Sequence, residues 1–541
     1  MSGSFARDFA RLLKRQDFVR FHDFALRSLL SRRSDAVAKV PEWEDLRRRA
    51  KGIKATLRRD TGTLVARFIE QAESRGAKVR IAKTAEDANR IVHRLLEERG
   101  MKHVVKSKSM TTEECGLNPF LEARGVHVTD TDLGERIVQL FGEPPSHIVG
   151  PAIHRTRKEI GELFARHGLV APGEEDPARL TEAARRSLRE VFFEAECGIT
   201  GANFLLADSG TVVVVENEGN SLLGTSLPGL HIVVAGIDKF IPSVRELDVF
   251  LMLLARSATG QRLTTYTTCY SGPQARSDRE LEAGRELFIV LVDNGRSDLL
   301  GTPAEEALDC IRCGACLSAC PVFRRVGGHA YDYVYPGPLG AVLGPGLGGR
   351  AKAGLPRASP LCGACSEICP VRIDLAAHIR DWRPELRRRG WAPSSLPPGL
   401  GFLMRHPRLF DRAMAGMRRL RLLSGPLLRL HPMVRSYAAG GQRRWPEVPG
   451  QSFRQWWRAR TPVGGTDRGL PRAEASRPVK PRVSGGGIEL EALFREALLE
   501  AGGEPILPKE LPAGAVATER VAGMLGLERA PVSKEDLNGV P

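Results

Sequence analysis

"CIRCGACLSACP", Cys310 to Pro321, carries four cysteines and closes on a proline. "SPLCGACSEICP", Ser359 to Pro370, repeats the shape with a serine where the first cysteine would stand. A 4Fe–4S cubane has four iron corners, and each takes one thiolate. Cys-x-x-Cys-x-x-Cys supplies three of them, because its sulfurs converge around a tight turn. The next cysteine, followed by proline, points away and ligates the other cubane of a two-cluster pair. On that wiring Cys310, Cys313, Cys316 and Cys369 hold cluster one, while Cys320, Cys362 and Cys365 hold three corners of cluster two. Three readings stay open for the last corner. Ser359 ligates as an alkoxide; or water, another residue or a partner's group holds the iron; or that iron is absent and cluster two is 3Fe–4S. A non-thiolate corner is labile to oxidation and shifts the potential. Zinc also uses CxxC pairs, but a tetrahedral zinc site needs two pairs and no proline-closed third element. The stretch between the motifs, 321–361, is glycine-rich and poor in strand patterns, which predicts a helical ferredoxin-type domain.

Working outward, Cys115, Cys197 and Cys269 are scattered. Thiols clustered in one segment of a long chain indicate metal ligation in a reducing compartment, and hence a cytoplasmic protein. The start, "MSGSFARDFARLLKRQDFVRFHDFALRSLLSRR", has the arginine-rich, acid-poor make-up of a transit peptide. Its helical pattern runs on into "EWEDLRRRAKGIKATL", which favours a basic helix of the mature protein. Apolar runs such as "TVVVVENEG" from Thr211 break at charges, so no membrane span is expected. The net charge of +16 suggests an anionic partner: nucleic acid, acidic lipid or an acidic protein. Each oxidised cubane on four thiolates contributes about −2, which lowers the balance without reversing it. The basic residues are spread over both termini with no aromatic-interleaved stripe, so nucleic acid is not expected as a partner.

The 541 residues fit two or three domains. Residues 1–60 read as two helices. Over 61–300 helices and strands alternate: "LVARFIEQAESRG" helix, "AKVRIAK" strand, "TAEDANRIVHRLLEERG" helix with a threonine cap, "KHVVKSKS" strand, "TTEECGLNPFLEARG" helix, "VHVTDTD" strand. "FLLADSG", "TVVVVEN", "HIVVAGID" and "LFIVLVDNG" are later strands. Such alternation predicts an α/β domain with a mostly parallel sheet. The two-cluster domain follows over 301–390, then a basic helical region over 391–437, and a linker and short tail over 438–541. In the tail, "FREALLEAGGEPILPKE" from Phe494 echoes "FIEQAESRGAKVRIAKT" from Phe68.

Several segments bear on function. Ligands of open parallel sheets bind beyond the carboxyl ends of strands, which makes Asp132, Glu135, Glu216, Asn217 and Asn220 pocket candidates. "KSKSM", Lys106 to Met110, offers two lysines to a carboxylate or phosphate. "GPGLGG", Gly344 to Gly349, matches G-x-G-x-x-G but lacks the preceding strand and following helix of a dinucleotide site, and reads as a flexible loop. "HAYDYVYPGP" from His329 either shapes a site over a cluster or packs around its shell. HExxH, GxSxG and P-loop patterns are absent from the sequence.

Together these stretches resemble the lactate utilisation protein B family over roughly 41–435. The α/β part rests on "PEWEDLR", "KSKSMTTEECGLN", "TDLGERIVQL", "PSHIVGPAIH", "GITGANFLLADSGTVVVVENEGN" and "LPGLHIVVAGIDK". The cluster part rests on "CIRCGACLSACPVFRRVGGHAY", "VYPGPLGAVL" and "LCGACSEICPVRIDL". The resemblance implies a fold related to sugar-phosphate isomerases and CoA transferases, two iron–sulfur clusters with only three cysteines for the second, and two partner subunits. It implies an electron-transfer subunit of a system oxidising L-lactate to pyruvate, with an unassigned acceptor. The hydride-level step falls to a partner, because no flavin or nicotinamide fingerprint occurs here. The competing expectations are an equivalent subunit for another 2-hydroxy acid such as glycolate, and a nucleic-acid-associated protein with structural clusters. The tail beyond 438 is longer than the resemblance predicts.

Overall fold

The computed structural model describes residues 11–12, 15–273, 284–392, 399–413, 415–416 and 456. The expected linker and tail, with the echo at Phe494, lie outside these residues apart from Trp456, as does the basic region beyond 416. Of the second compact unit, 393–506, the helix Leu400–Arg405 is described. Everything below belongs to the first unit.

Two long helices, Gln16–Ala38 and Trp43–Arg59, precede the α/β region. There the strands are β1 (Lys78–Ala82), β2 (His103–Lys106), β3 (His127–Asp130), β4 (Cys197–Thr200), β5 (Phe204–Leu206), β6 (Thr211–Glu216), β7 (Leu230–Gly236), β8 (Phe240–Ile241), β9 (Tyr266–Tyr270) and β10 (Glu286–Val292). Six of them form a wholly parallel sheet in the order β1-β10-β7-β4-β2-β3. The central strands are buried on both faces, so they read as continuous apolar runs. In β10, Phe288, Val290 and Val292 face one core with the helix Ala85–Glu97, while Leu287, Ile289 and Leu291 face a second sheet. That helix starts as its sequence predicts, with Thr84 and Asp87 in a capping box.

The second sheet, β8-β5-β6-β9, departs from expectation. "FLLADSG" and "TVVVVEN" do not join the parallel sheet; they form an antiparallel hairpin, β5–β6, extended by β9. A turn of four residues, 207–210, is too short for the crossover that parallel neighbours need. This hairpin is also buried twice over. Leu205, Val212 and Val214 pack on the large sheet, while Phe204, Leu206 and Val213 pack into a core shared with the N-terminal helices and the cysteine-rich region. The α/β and cysteine-rich segments are therefore joined through one continuous apolar core.

Two further expectations are corrected. The helix expected over "TTEECGLNPFLEARG" is broken in two, Met110–Cys115 and Leu117–Glu122, by Gly116 in the left-handed region (φ 64°). "GPGLGG" is not a flexible loop. It ends the buried helix Gly337–Leu347 and opens Gly349–Lys352. Its glycines permit close packing: a Cβ on Gly346 would meet Leu299 Cδ2 at 2.3 Å.

Candidate iron–sulfur centre and adjoining cavity

The two cysteine motifs fold alike. The residues flanking the middle cysteine of each motif are left-handed: Arg312 (φ 60°) and Gly314 (φ 74°) about Cys313, Leu361 (φ 58°) and Gly363 (φ 82°) about Cys362. For arginine and leucine this conformation is uncommon and costs energy. It turns the backbone so that one N–H meets the side chain two residues earlier. Arg312 N donates to Cys310 Sγ at 3.4 Å, and Leu361 N donates to Ser359 Oγ at 3.1 Å. Ser359 therefore stands in the place of Cys310 within a copied loop. A short helix follows each loop, Ala315–Ala319 and Ala364–Ile368. The cysteine after each helix takes another N–H: Phe323 N to Cys320 Sγ at 3.5 Å, and Ile373 N to Cys369 Sγ at 3.3 Å.

The seven thiols sort into two groups. Cys310, Cys313 and Cys316 from the first motif and Cys369 from the second line one small enclosed cavity, walled by Ile148, Leu339 and Leu375. Burial and then the neighbouring Cys310 push Cys369 up to about 12. Burial followed by Cys310, Cys313 and Cys369 raises Cys316 well above the usual thiol range. The second group is Cys320, Cys362 and Cys365, where burial and then Cys320 and Cys362 push Cys365 up to about 11. Crowded buried thiols that oppose one another's ionisation call for a cation to take up their charge, and metal ligation deprotonates thiols outright. With N–H groups already aimed at the sulfurs, this donor set fits a thiolate-ligated iron–sulfur core. Cys313 and Cys369 are buried, whereas Cys362 is exposed, so the second group lies nearer the surface.

Neighbouring elements hold the motifs in place. Arg47, on the second N-terminal helix, donates from Nε and Nη2 to the Cys369 carbonyl at 3.0 and 2.8 Å. Arg33, on the first, donates to the Ile368 carbonyl at 3.0 Å. "HAYDYVYPGP" takes part as well: burial and then the neighbouring Cys320 raise the Tyr331 hydroxyl well above the usual phenol range, and the Tyr335 hydroxyl donates to Glu114 Oε2 at 2.6 Å. Glu114 also receives a bidentate pair from Arg296 at 2.8 Å on each oxygen. Arg296 Nε reaches Asp238 Oδ1 at 2.7 Å, and Asp238 Oδ2 receives Arg312 Nη2 at 3.0 Å. This buried chain ties the α/β sheet to the loop of the first thiol group. Burial opposes the Asp238 charge, but Arg296, Lys239 and Arg312 hold its carboxyl far below the usual range.

Beyond the carboxyl ends of β2, β4 and β6 lies a second cavity, of about 380 Å³. Asp132, Glu216, Asn217 and Asn220 line it, as does Lys108. Glu135 and Lys106 do not. Lys106 is fully buried beneath it, with Asp130 at 2.7 Å and Glu113 and Glu135 at 3.2 Å. Burial outweighs Lys106 and raises Glu135 to about 8, so this cluster carries a proton and closes on itself. Lys239, Glu218 and Arg312 line the cavity too. Sequence patterns do not single them out, since Lys239 follows a strand end as an ordinary turn residue and Arg312 is hidden among the cysteines. Ile148, Ile311 and Arg312 line both cavities, so a single side-chain layer separates the first thiol group from this chamber.

Comparison with known proteins follows the same division. Residues 65–292 match the family described as LUD domain, and residues 306–373 match the 4Fe-4S dicluster domain; the latter carries two 4Fe–4S clusters. Lactate utilization protein B of Exiguobacterium sp. is 46% identical over 344 residues, covering 63% of this chain and 73% of the relative. The protein of that name from Shouchella clausii is 39% identical over 455 residues, covering 81% and 93%. The one from Bacillus subtilis is 43% identical over 370 residues, covering 68% and 76%. Among the described residues no helix is long and apolar enough to cross a membrane. A parallel-sheet domain locked through Arg296 onto a two-motif cysteine domain, matched over this length and identity, places the chain in the lactate utilization protein B family.

Proposed function

We propose that this chain is the iron–sulfur electron-transfer subunit of a cytoplasmic system that oxidises L-lactate to pyruvate with two partner subunits. The clusters supply single-electron chemistry when bound. The chain's own residues fix where that chemistry takes place. Cys310, Cys313, Cys316 and Cys369 hold cluster one; Cys320, Cys362 and Cys365 hold cluster two, with Ser359 at its fourth corner. The observation that carries this reading is the shared cavity of Cys369 with the three thiols of the other motif, since only a crossed two-cluster arrangement asks for it. N–H groups on Cys310, Cys320 and Cys369 stabilise the thiolate form, and the apolar wall of Ile148, Leu339 and Leu375 excludes water from the first group. The copied loop supports Ser359, whose oxygen takes the N–H that sulfur takes in the first motif. The relatives' names support the lactate assignment. The test is electron paramagnetic resonance of the anaerobic protein mixed with its partner subunits. L-lactate should reduce the clusters and glycolate should not. Failure of lactate to do so would overturn the assignment.

A further inference from the structure

The chamber of about 380 Å³ beside the first thiol group falls in the size range of small-molecule sites. Its charges are unequal in how they are engaged. Asp132 accepts the N–H of Glu135 at 2.9 Å, Glu216 accepts those of Ser221 and Leu222 at 2.7 and 2.9 Å, and Glu218 accepts that of Leu133 at 3.2 Å. Arg312 is bound to Asp238. Lys239 and Lys108 differ. Lys239 is only 7% exposed, lines the chamber, and has no hydrogen bond or ion pair among the described residues. Lys108 lines it from the end of β2, equally without an ion pair among those residues. An ammonium buried with no acceptor in direct contact is only partly compensated: burial pulls Lys239 down to about 7, although Asp238 and Cys310 act in the opposite sense. The natural complement of two such lysines is an anion.

The carboxylates narrow the choice. Asp132, Glu216 and Glu218 would repel a dianion such as phosphate, yet can accept a hydrogen bond from a hydroxyl. From this we propose that the chamber is a binding site for a small monocarboxylate of the 2-hydroxy or 2-oxo acid class, its carboxylate held between Lys108 and Lys239. The wall shared through Ile311 and Arg312 sets such a ligand next to cluster one. The assignment rests on the lactate reading above and adds that this subunit, rather than only a partner, holds the acid.

The experiment is calorimetric titration of the anaerobically purified full chain, of verified iron content, with L-lactate, pyruvate and inorganic phosphate. Lactate and pyruvate should bind saturably and phosphate should not. Lys239→Met and Lys108→Met should each weaken binding about tenfold or more, as loss of a charge-assisted contact does, with iron content and melting temperature unchanged. Should the buried Lys239 variant fold poorly, the half-exposed Lys108 variant decides alone. Absence of saturable binding by either acid, tighter binding of phosphate, or unaltered affinity in the variants would overturn the proposal. Lactate-driven cluster reduction in the assembled system is scored separately. If reduction occurs and binding to this chain does not, the site belongs elsewhere and the electron-transfer role survives. If binding occurs without reduction, the reverse holds.

Discussion

Replacing Arg296 by methionine removes the hub that joins the α/β sheet to the first cysteine loop. Arg296 is 2% exposed and is the direct ion-pair partner of both Glu114 and Asp238. Methionine fills much of the volume, so the loss is electrostatic rather than a cavity. Removing one partner of a buried ion pair costs about 3–5 kcal/mol, because a desolvated charge is left behind. Glu114 keeps the Tyr335 hydroxyl and Asn294, and Asp238 keeps Arg312, which places the expected loss within that range rather than at twice it. At an unfolding entropy of about 2.1 cal/mol/K per residue, a cooperative unit of about 390 residues loses about 1.2 °C per kcal/mol, so the apparent Tm falls by about 4–6 °C. The pH dependence separates this cause from poor packing. In the intact protein Glu114 and Asp238 are held below their usual range, against burial, chiefly by Arg296. Their contribution is present above the unfolded pKa of about 4 and fades as pH falls below it. In the variant, burial acts with less opposition and raises both carboxyls, so protonation relieves the penalty. The Tm difference should therefore shrink between about pH 7 and pH 5. Anaerobic thermal melts followed by circular dichroism at both pH values measure it. A drop of under about 1 kcal/mol, the scale of an exposed pair, or a difference independent of pH, would refute the hub.

Three further outcomes are expected. Cys369→Ala should perturb the spectrum of the cluster built on Cys310, Cys313 and Cys316, and Cys320→Ala that of the other; spectra showing each variant disturbing its own motif's cluster would contradict the crossed wiring. Ser359→Cys should load normally and slow oxidative loss of iron from cluster two, read as iron content after exposure to air, whereas unchanged lability would remove Ser359 from the fourth corner. Burial pushes Glu143 up, but His154 and Arg155 outweigh it and hold it at about 2. Its contribution is therefore full above the unfolded value of about 4, so Glu143→Gln should destabilise the anaerobic protein to chemical denaturation at pH 7 and by nearly the same amount down to about pH 5.

Local signals explain what the sequence conveys. Thr84 and Asp87 mark a helix start through contacts three residues apart, and apolar runs such as Leu287–Val292 mark strands buried on both faces. The spacing of the cysteines predicts which thiols belong together because cluster geometry constrains it, and the fold gathers Cys369 with Cys310, Cys313 and Cys316 accordingly. Asp132, Glu216, Asn217 and Asn220 were accessible through the rule that strand ends carry ligands. Glu135 and Lys106 satisfy the same rule yet face inward, where Asp130 and Glu113 join them in one buried cluster. The second sheet was hidden because a valine run buried on both faces does not reveal which sheet it joins. Arg312 and Lys239 gain their place only from long-range packing: one bends with a cysteine loop, the other follows β7, and nothing short-range links them. "GPGLGG" shows the converse, a pattern whose glycines serve helix packing rather than phosphate.

Iron and acid-labile sulfide analysis of the anaerobically purified protein, combined with electron paramagnetic resonance of the reduced form, tests the paired-cluster arrangement most directly. The arrangement predicts about eight irons per chain, as two cubanes require, with a signal broadened by magnetic coupling between neighbouring clusters. Zinc in place of iron, no labile sulfide, or a single isolated cluster after full reconstitution would contradict it.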